Sequence, residues 1–212
     1  MRNVAPEDEI PIWMLDPDVI AAKLEHFNNK RQDIPDTVEC QRELIEYVES
    51  LNGRSFDTHE WVAKTHELAD RFMMAYKDYL ICRKGCAHCC RLPVGVTYLE
   101  AEYIAARSGR KLNRKAKECF DIKPTPKNST PCPFLAADAV TCSIYAFRPL
   151  ACRMFGTFDD HRFCEDPTKD HMIVTSDVSH PFAYSTGMMI SAAKQAPGKQ
   201  PAAFAELRQW FR

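Results

Sequence analysis

The chain predicts a mainly α-helical fold that carries an irregular, cysteine-rich region and one small β-hairpin. Three observations lead there. The first third repeats apolar residues at helical spacing behind capping residues. The middle is dense in cysteine and proline, and one pair of short apolar segments brackets a polar turn. Three segments follow: a helical N-terminal region over 1–80, a cysteine-cluster region over 81–170 and a C-terminal helical segment over 171–212. Together they are expected to form one compact domain, since 212 residues suit a single core.

The elements follow in order. Asp16-Pro17 places a cap and a first-turn proline ahead of DVIAAKLEHFNNK, so a helix is expected there. Asp36 precedes TVECQRELIEYVES, in which Val38, Leu44, Ile45, Val48 and Leu51 form a stripe ended by Asn52-Gly53. Thr58 is read as the cap of a third helix over about 59–80, with Trp61, Leu68, Phe72, Tyr76 and Tyr79 on its packing side. Thr97 and Gly109 bound a helix over 98–108. KLNRKAKECF predicts another short helix, and DIKPTPKNSTPCP a proline-rich loop. CPFLAADAVTCSIY predicts the hairpin. Arg148-Pro149 predicts a helix start with Cys152 in its first turns. The tail predicts a helix over about 181–195 and a short one near 201–211.

Charge is uneven. Residues 1–60 hold 14 acidic and 6 basic side chains, 61–130 hold 7 and 14, and 131–212 hold 8 of each. An acidic front facing a basic middle accounts for this more simply than a polyanion site. No apolar run is long enough to cross a bilayer. The opening residues MRNVAPEDEIPIWMLDPD are acidic and proline-broken, unlike an export signal. A cytoplasmic protein with reduced or metallated cysteines is therefore expected, rather than a disulfide framework.

Eight of the ten cysteines form an ordered series: Cys82, Cys86, Cys89 and Cys90 in CRKGCAHCC, then Cys132, Cys142, Cys152 and Cys164. Four thiols within nine residues suit metal binding, because zinc and iron–sulfur clusters both take thiolate ligands at such spacings. Gly85 predicts a turn that brings backbone N–H groups to the sulfurs. Cys89 and Cys90 are adjacent, so their side chains diverge. They suit two neighbouring centres, one multinuclear centre, or a ligand beside a reactive thiol. Cys152 at a helix N-terminus is expected to favour thiolate. Arg83, Lys84, Arg91, Arg148 and Arg153 flank the series and suit an anionic ligand cage. His88 and His161 are secondary ligand candidates. Cys40 and Cys119 read as small buried apolar residues on helices.

CRKGCAHCCRLPVGVTYLEAEYIA, followed by PCPFLAADAVTCSIYAFRPLACRMF and Cys164, resembles the YkgJ-like CxxCxxCC cysteine-cluster family, described as a zinc- or iron-chelating domain. The resemblance covers about residues 80–166. It implies that Cys82, Cys86, Cys89, Cys90, Cys132, Cys142, Cys152 and Cys164 are the metal ligands. One departure is that three residues, not two, separate Cys82 from Cys86.

The function expected first is metal chelation, with Zn2+ ahead of an iron–sulfur cluster because hairpin and loop ligands suit structural zinc. An iron–sulfur redox enzyme or electron carrier is the alternative, since Cys82–Cys89 is also a CxxxCxxC. A radical-SAM barrel does not fit, because no alternation of strands and helices follows the motif. No serine–histidine or histidine–aspartate spacing points to another catalyst. A nucleic-acid module resting on Arg107, Arg110, Lys111, Arg114, Lys115 and Lys117 ranks last, behind a solvated basic face.

Overall fold

The computed structural model describes residues 17–30, 37–82, 85–122, 130–165, 173–174, 180–198 and 202–211. Seven helices are described: α1 (Pro17–Lys30), α2 (Thr37–Ser50), α3 (Thr58–Met74), α4 (Tyr98–Ser108), α5 (Leu150–Arg153), α6 (His180–Gln195) and α7 (Leu207–Trp210). The candidate caps Asp16 and Asp36 lie outside the described residues. The fold is mainly helical, as the sequence predicts, and α2, α3, α4 and α6 pack around one core.

Each helix buries the face its sequence supplies, with adjustments. In α2 the buried line is Cys40, Leu44 and Val48, spaced by four, while Val38 points outward. Cys40 thus takes the core position, as a small apolar residue does. In α3 the buried residues Trp61, Thr65, Leu68 and Phe72 share one side. The cap of α3 is Asp57, one residue before Thr58, whose carboxylate accepts the His59 N–H at 2.7 Å. The helix ends at Met74 and not near 80. Ala75, Tyr76 and Lys77 donate to carbonyls three residues back, so the chain tightens into turns there. At the core centre Ser185 of α6 meets the Trp61 indole N–H at 3.3 Å and the Thr65 hydroxyl at 3.2 Å.

Two small antiparallel ladders fasten distant segments. β1 (Gly95–Thr97) pairs with β4 (Phe204–Glu206), Val96 opposite Ala205. β2 (Gly156–Thr157) pairs with β3 (Ile173–Val174). Glycine is required at 95, where a Cβ would strike the Phe204 ring. The predicted hairpin closes through one bridge, Leu135 with Cys142. The tail residues expected to be helical from 201 instead give β4 and the single turn α7, because Phe204–Glu206 finds a strand partner.

KLNRKAKECF is not helical, and its hydrogen bonds show why. Asn113 N–H goes to Trp210 O at 2.8 Å, Lys117 N–H to the Gln209 side chain at 3.1 Å and Cys119 N–H to Phe204 O at 3.0 Å. The segment satisfies its backbone against the C-terminal elements, which outweighs a weak local helix propensity.

One buried carboxylate ties the helices to the cysteine region. Thr97 and Glu100 form the capping box of α4, with Glu100 Oε2 accepting the Thr97 N–H at 3.1 Å. Glu100 Oε1 also accepts the Leu150 N–H at the start of α5, at 2.8 Å, and lies 3.4 Å from His66 Nε2. Burial opposes ionisation of Glu100, but His66 and the Leu150 and Thr97 donors outweigh it and hold its carboxyl below the ordinary value. Burial pushes His66 down despite Glu100 and Asp70, with Arg153 adding to the depression and Tyr103 meeting the ring edge-on. His66 Nδ1 has no partner, so a second proton there gains no hydrogen bond.

A native His66 that resists protonation makes the unfolded chain bind more protons as pH falls below about 6.5. Stability contributed here is complete above that pH and is lost on the acid side. Thermal unfolding between pH 8 and pH 5 is expected to show a steeper acid loss for the wild type than for His66→Gln; equal slopes would remove His66 as the source. Glu100→Ala strands the Leu150 and Thr97 donors and is expected to destabilise by about 3 kcal/mol in urea unfolding.

Candidate metal centre

The cysteine region is positioned from both ends of the chain. Ile81 N–H bonds to Thr157 O at 2.9 Å, and Thr157 N–H points back to Cys82 Sγ at 3.3 Å. This short exchange pins Cys82 to β2. Gly85 takes φ +92, the left-handed turn the sequence predicts for it. A 3-10 turn over His88–Arg91 then carries Cys89 and Cys90, and Cys132 N–H donates to Cys90 O at 2.8 Å. The loop from Cys132 to Cys142 closes on Leu135–Cys142 and is shaped by Asp138, whose carboxylate accepts Val140 and Thr141 N–H at 3.0 and 2.8 Å. Cys152 sits in α5, and Cys164 in a second 3-10 turn, His161–Glu165, packed against the first.

Cys86, Cys89, Cys90, Cys132, Cys142 and Cys152 line one cavity of about 1050 Å³ whose remaining wall is largely apolar. Three sulfurs share a local arrangement: Cys86, Cys132 and Cys142 each accept the backbone N–H two residues on, from His88, Phe134 and Ile144. Such donors stabilise thiolate over thiol. Cys82 and Cys164 are not among the residues that line it, and the charge of Cys82 opposes ionisation of Cys164. Cys40 is buried in α2, and Cys119 is half-buried, its thiol directed at Asp121 O at 3.5 Å in an irregular stretch. His88 contributes its backbone N–H to Cys86. The His161 side chain, like Arg83 and Lys84, lies outside the described residues.

Burial dominates the electrostatics. It pushes the thiols of Cys82 and Cys132 up to about 11 and Cys164 to about 12, and it raises Cys86 and Cys142. Cys152 also rises. The expected lowering by the helix terminus is overturned, since α5 has four residues and the thiol is enclosed. Cys90 is the exception, at about 7: the Cys89 thiol donates to it, burial opposes, and Arg208, Arg148 and Arg91 favour its thiolate. The same bond holds the proton on Cys89, far above the ordinary thiol value.

The basic side chains divide into two kinds. Arg148 faces the cysteines, with its Nε buried and unpartnered and its guanidinium over the Tyr145 ring at 4.2 Å. Arg153 does not face them. It is buried, pairs with Asp70 at 2.5 Å and donates to the carbonyls of Arg148 and Ala146 at 2.9 and 2.6 Å, locking α5 onto α3. No local pattern announces the role of Arg208. From α7 it donates to Cys90 O at 2.9 Å, Leu92 O at 3.2 Å and Thr130 O at 2.5 Å, joining the backbone beside two cysteines far apart in sequence. The β1–β4 pairing and the Leu207 N–H bond to Val94 O bring it there.

Soft sulfur donors, N–H groups aimed at them and adjacent cationic charge fit zinc or iron. Among the described residues no three histidine, cysteine, aspartate or glutamate side chains stand close enough to hold an ion as they are, so ligation requires the sulfurs to turn inward. Among the described residues no helix is long and apolar enough to cross a membrane.

Nothing among the curated proteins or the solved structures matches the chain. Residues 81–172, which span the whole cysteine series, match the family model CxxCxxCC, whose description reads "Putative zinc- or iron-chelating domain". That match takes in 92 of the 212 residues, and the helices α1 to α3 lie outside it. Over residues 81–172 the chain is therefore similar to the CxxCxxCC family.

Proposed function

We propose that the protein chelates zinc through Cys82, Cys86, Cys89, Cys90, Cys132, Cys142, Cys152 and Cys164, and that the bound metal is structural. The observation that carries this reading is the gathering of six cysteines on one cavity wall, three of them already accepting backbone N–H bonds. Zinc held by thiolates supplies a redox-inert cross-link between loops distant in sequence. The protein's part is to bring the sulfurs together, to stabilise their thiolates with N–H groups and arginines, and to keep water from them with apolar walls. Each ligating thiol gives its proton to solvent, which couples binding to pH. The reading places the protein in a reducing compartment such as the cytoplasm, because oxidised sulfurs cannot ligate.

The basic run counts against a nucleic-acid site. Arg110 donates to Pro133 O at 2.6 Å, Arg114 to the Tyr98 hydroxyl at 2.8 Å, and Arg107 covers the Tyr103 ring. Three of the six charges are thereby occupied within the fold.

Anaerobic purification followed by metal analysis tests the proposal. A colourless protein holding zinc is expected, whereas a brown protein with iron and acid-labile sulfide would replace zinc by an iron–sulfur cluster. Stripping zinc with a chelator is expected to lower the melting temperature, as loss of a ligand held at a thousandfold over its Kd removes about 4 kcal/mol. Arg208→Ala, which frees the Cys90 and Thr130 carbonyls, is expected to weaken zinc about tenfold in competition with a chromophoric chelator while leaving the helical circular dichroism unchanged.

A further inference from the structure

The cavity beside the cysteines is far larger than a metal needs. Zinc binds sulfur at about 2.3 Å, so an ion held by these thiols stays within their wall. The cavity measures about 1050 Å³, whereas one water molecule takes up only about 30 Å³. A second wall is supplied by α6. Ala183, Thr186, Gly187 and Ile190, spaced as one helical face, line the cavity, while Phe182, Ser185 and Met189 of the same helix are buried in the core.

Gly187 stands in the interior of α6, where glycine costs helix stability relative to alanine. Such a glycine is commonly explained by another element packed closely against it. A Cβ at Gly187 would meet no neighbouring atom within 4 Å, so no contact requires the small residue. What the glycine preserves is the space itself. Of the seven large apolar side chains exposed among the described residues, three, Phe120, Val140 and Tyr145, line the same cavity. Both aromatic rings are held in place. Phe120 stacks on Phe204 at 5.6 Å between centroids, and the Arg148 guanidinium lies 4.2 Å over Tyr145. Apolar surface left open around a cavity of this size marks a ligand site.

The polar lining indicates what the ligand carries. Arg148 is the only basic side chain among the described residues that line the cavity, and its buried Nε has no hydrogen-bond partner, sulfur included. A carboxylate accepts from a guanidinium through two parallel bonds and would supply the acceptor that Arg148 lacks. Glu100, the one acid among those residues, has both oxygens committed to Thr97, Leu150 and His66. We infer that the cavity binds a small monocarboxylate with a flat apolar body, its acid group on Arg148 and its body against α6 and the aromatic rings. The site goes beyond the metal-binding reading, since it uses walls of the cavity that hold no sulfur.

Calorimetric titration of the anaerobically purified full-length chain with 2-naphthoate tests this. One naphthoate per chain is expected, with naphthalene-2-methanol, its neutral counterpart, binding about tenfold more weakly. Gly187→Leu fills the cavity from α6 and is expected to abolish binding of both, while its melting temperature does not fall, because leucine favours the helix. Ala183→Leu makes the same test one turn away. Arg148→Met is expected to bring naphthoate down to the affinity of the alcohol and to leave the alcohol unchanged. No binding of naphthoate to the wild type, or undiminished binding to both leucine variants, would overturn the site. Equal affinity for acid and alcohol in the wild type, or a parallel loss of both in Arg148→Met, would overturn the carboxylate assignment. A dimer in sedimentation that Gly187→Leu dissociates would put a second copy on this face and overturn the small-molecule reading. Zinc content is measured on the same samples, and a chain that binds naphthoate but holds no zinc overturns the metal-binding reading alone.

Discussion

Glu100 is a carboxylate enclosed on every side, and a buried charge survives only where each of its oxygens has partners. Here the partners come from three elements: the Thr97 cap of α4, His66 of α3 and the free N–H of Leu150 at the head of α5. The packing of α3 on α4 is thus coupled to the position of α5, and α5 carries Cys152. Arg153 strengthens the same joint from the other side by reaching Asp70 on α3. Without these contacts the helices could still pair through their apolar faces, but the cysteine region would have no fixed orientation against them.

The cysteine region is built differently from the scaffold it rests on. It has short turns and a single-bridge loop, tied to the common core by Phe134, Ile144, Leu150 and Met154, so few backbone hydrogen bonds order the stretches between its cysteines. Most of its thiols are held protonated by burial, and a cation reverses that preference by supplying the missing charge. The Arg208 clamp works in the same direction. It holds Cys90 and Thr130 by their carbonyls, fixing backbone positions beside two sulfurs while adding positive charge. The strand pair β1–β4 then has a role beyond its length, since it helps deliver Arg208 to Cys90, 118 residues earlier in the chain.

The sequence made some of this legible and hid the rest for physical reasons. The α4 boundaries were readable because Thr97, Glu100 and Gly109 each act locally, through a cap, a reciprocal bond and a left-handed residue at φ +70. Cys40 was readable as core because it shares a face with Leu44 and Val48. The stretch after Gly109 misled, because its N–H groups are satisfied by Trp210, Gln209 and Phe204, partners no local pattern announces. Among candidate site residues the cysteine spacing was visible, but the roles of Arg208, Glu100 and Thr157 depend on tertiary contacts. Cys152 shows a local rule losing to burial: a helix start favours thiolate, and enclosure reverses it.

The proposed chelation requires sulfur alone around the metal. X-ray absorption at the metal edge of the anaerobically purified protein measures the ligand shell directly. Zinc with about four sulfur neighbours at about 2.3 Å is the expected result. A shell dominated by nitrogen or oxygen, or an iron edge with a neighbouring iron scatterer, would contradict it.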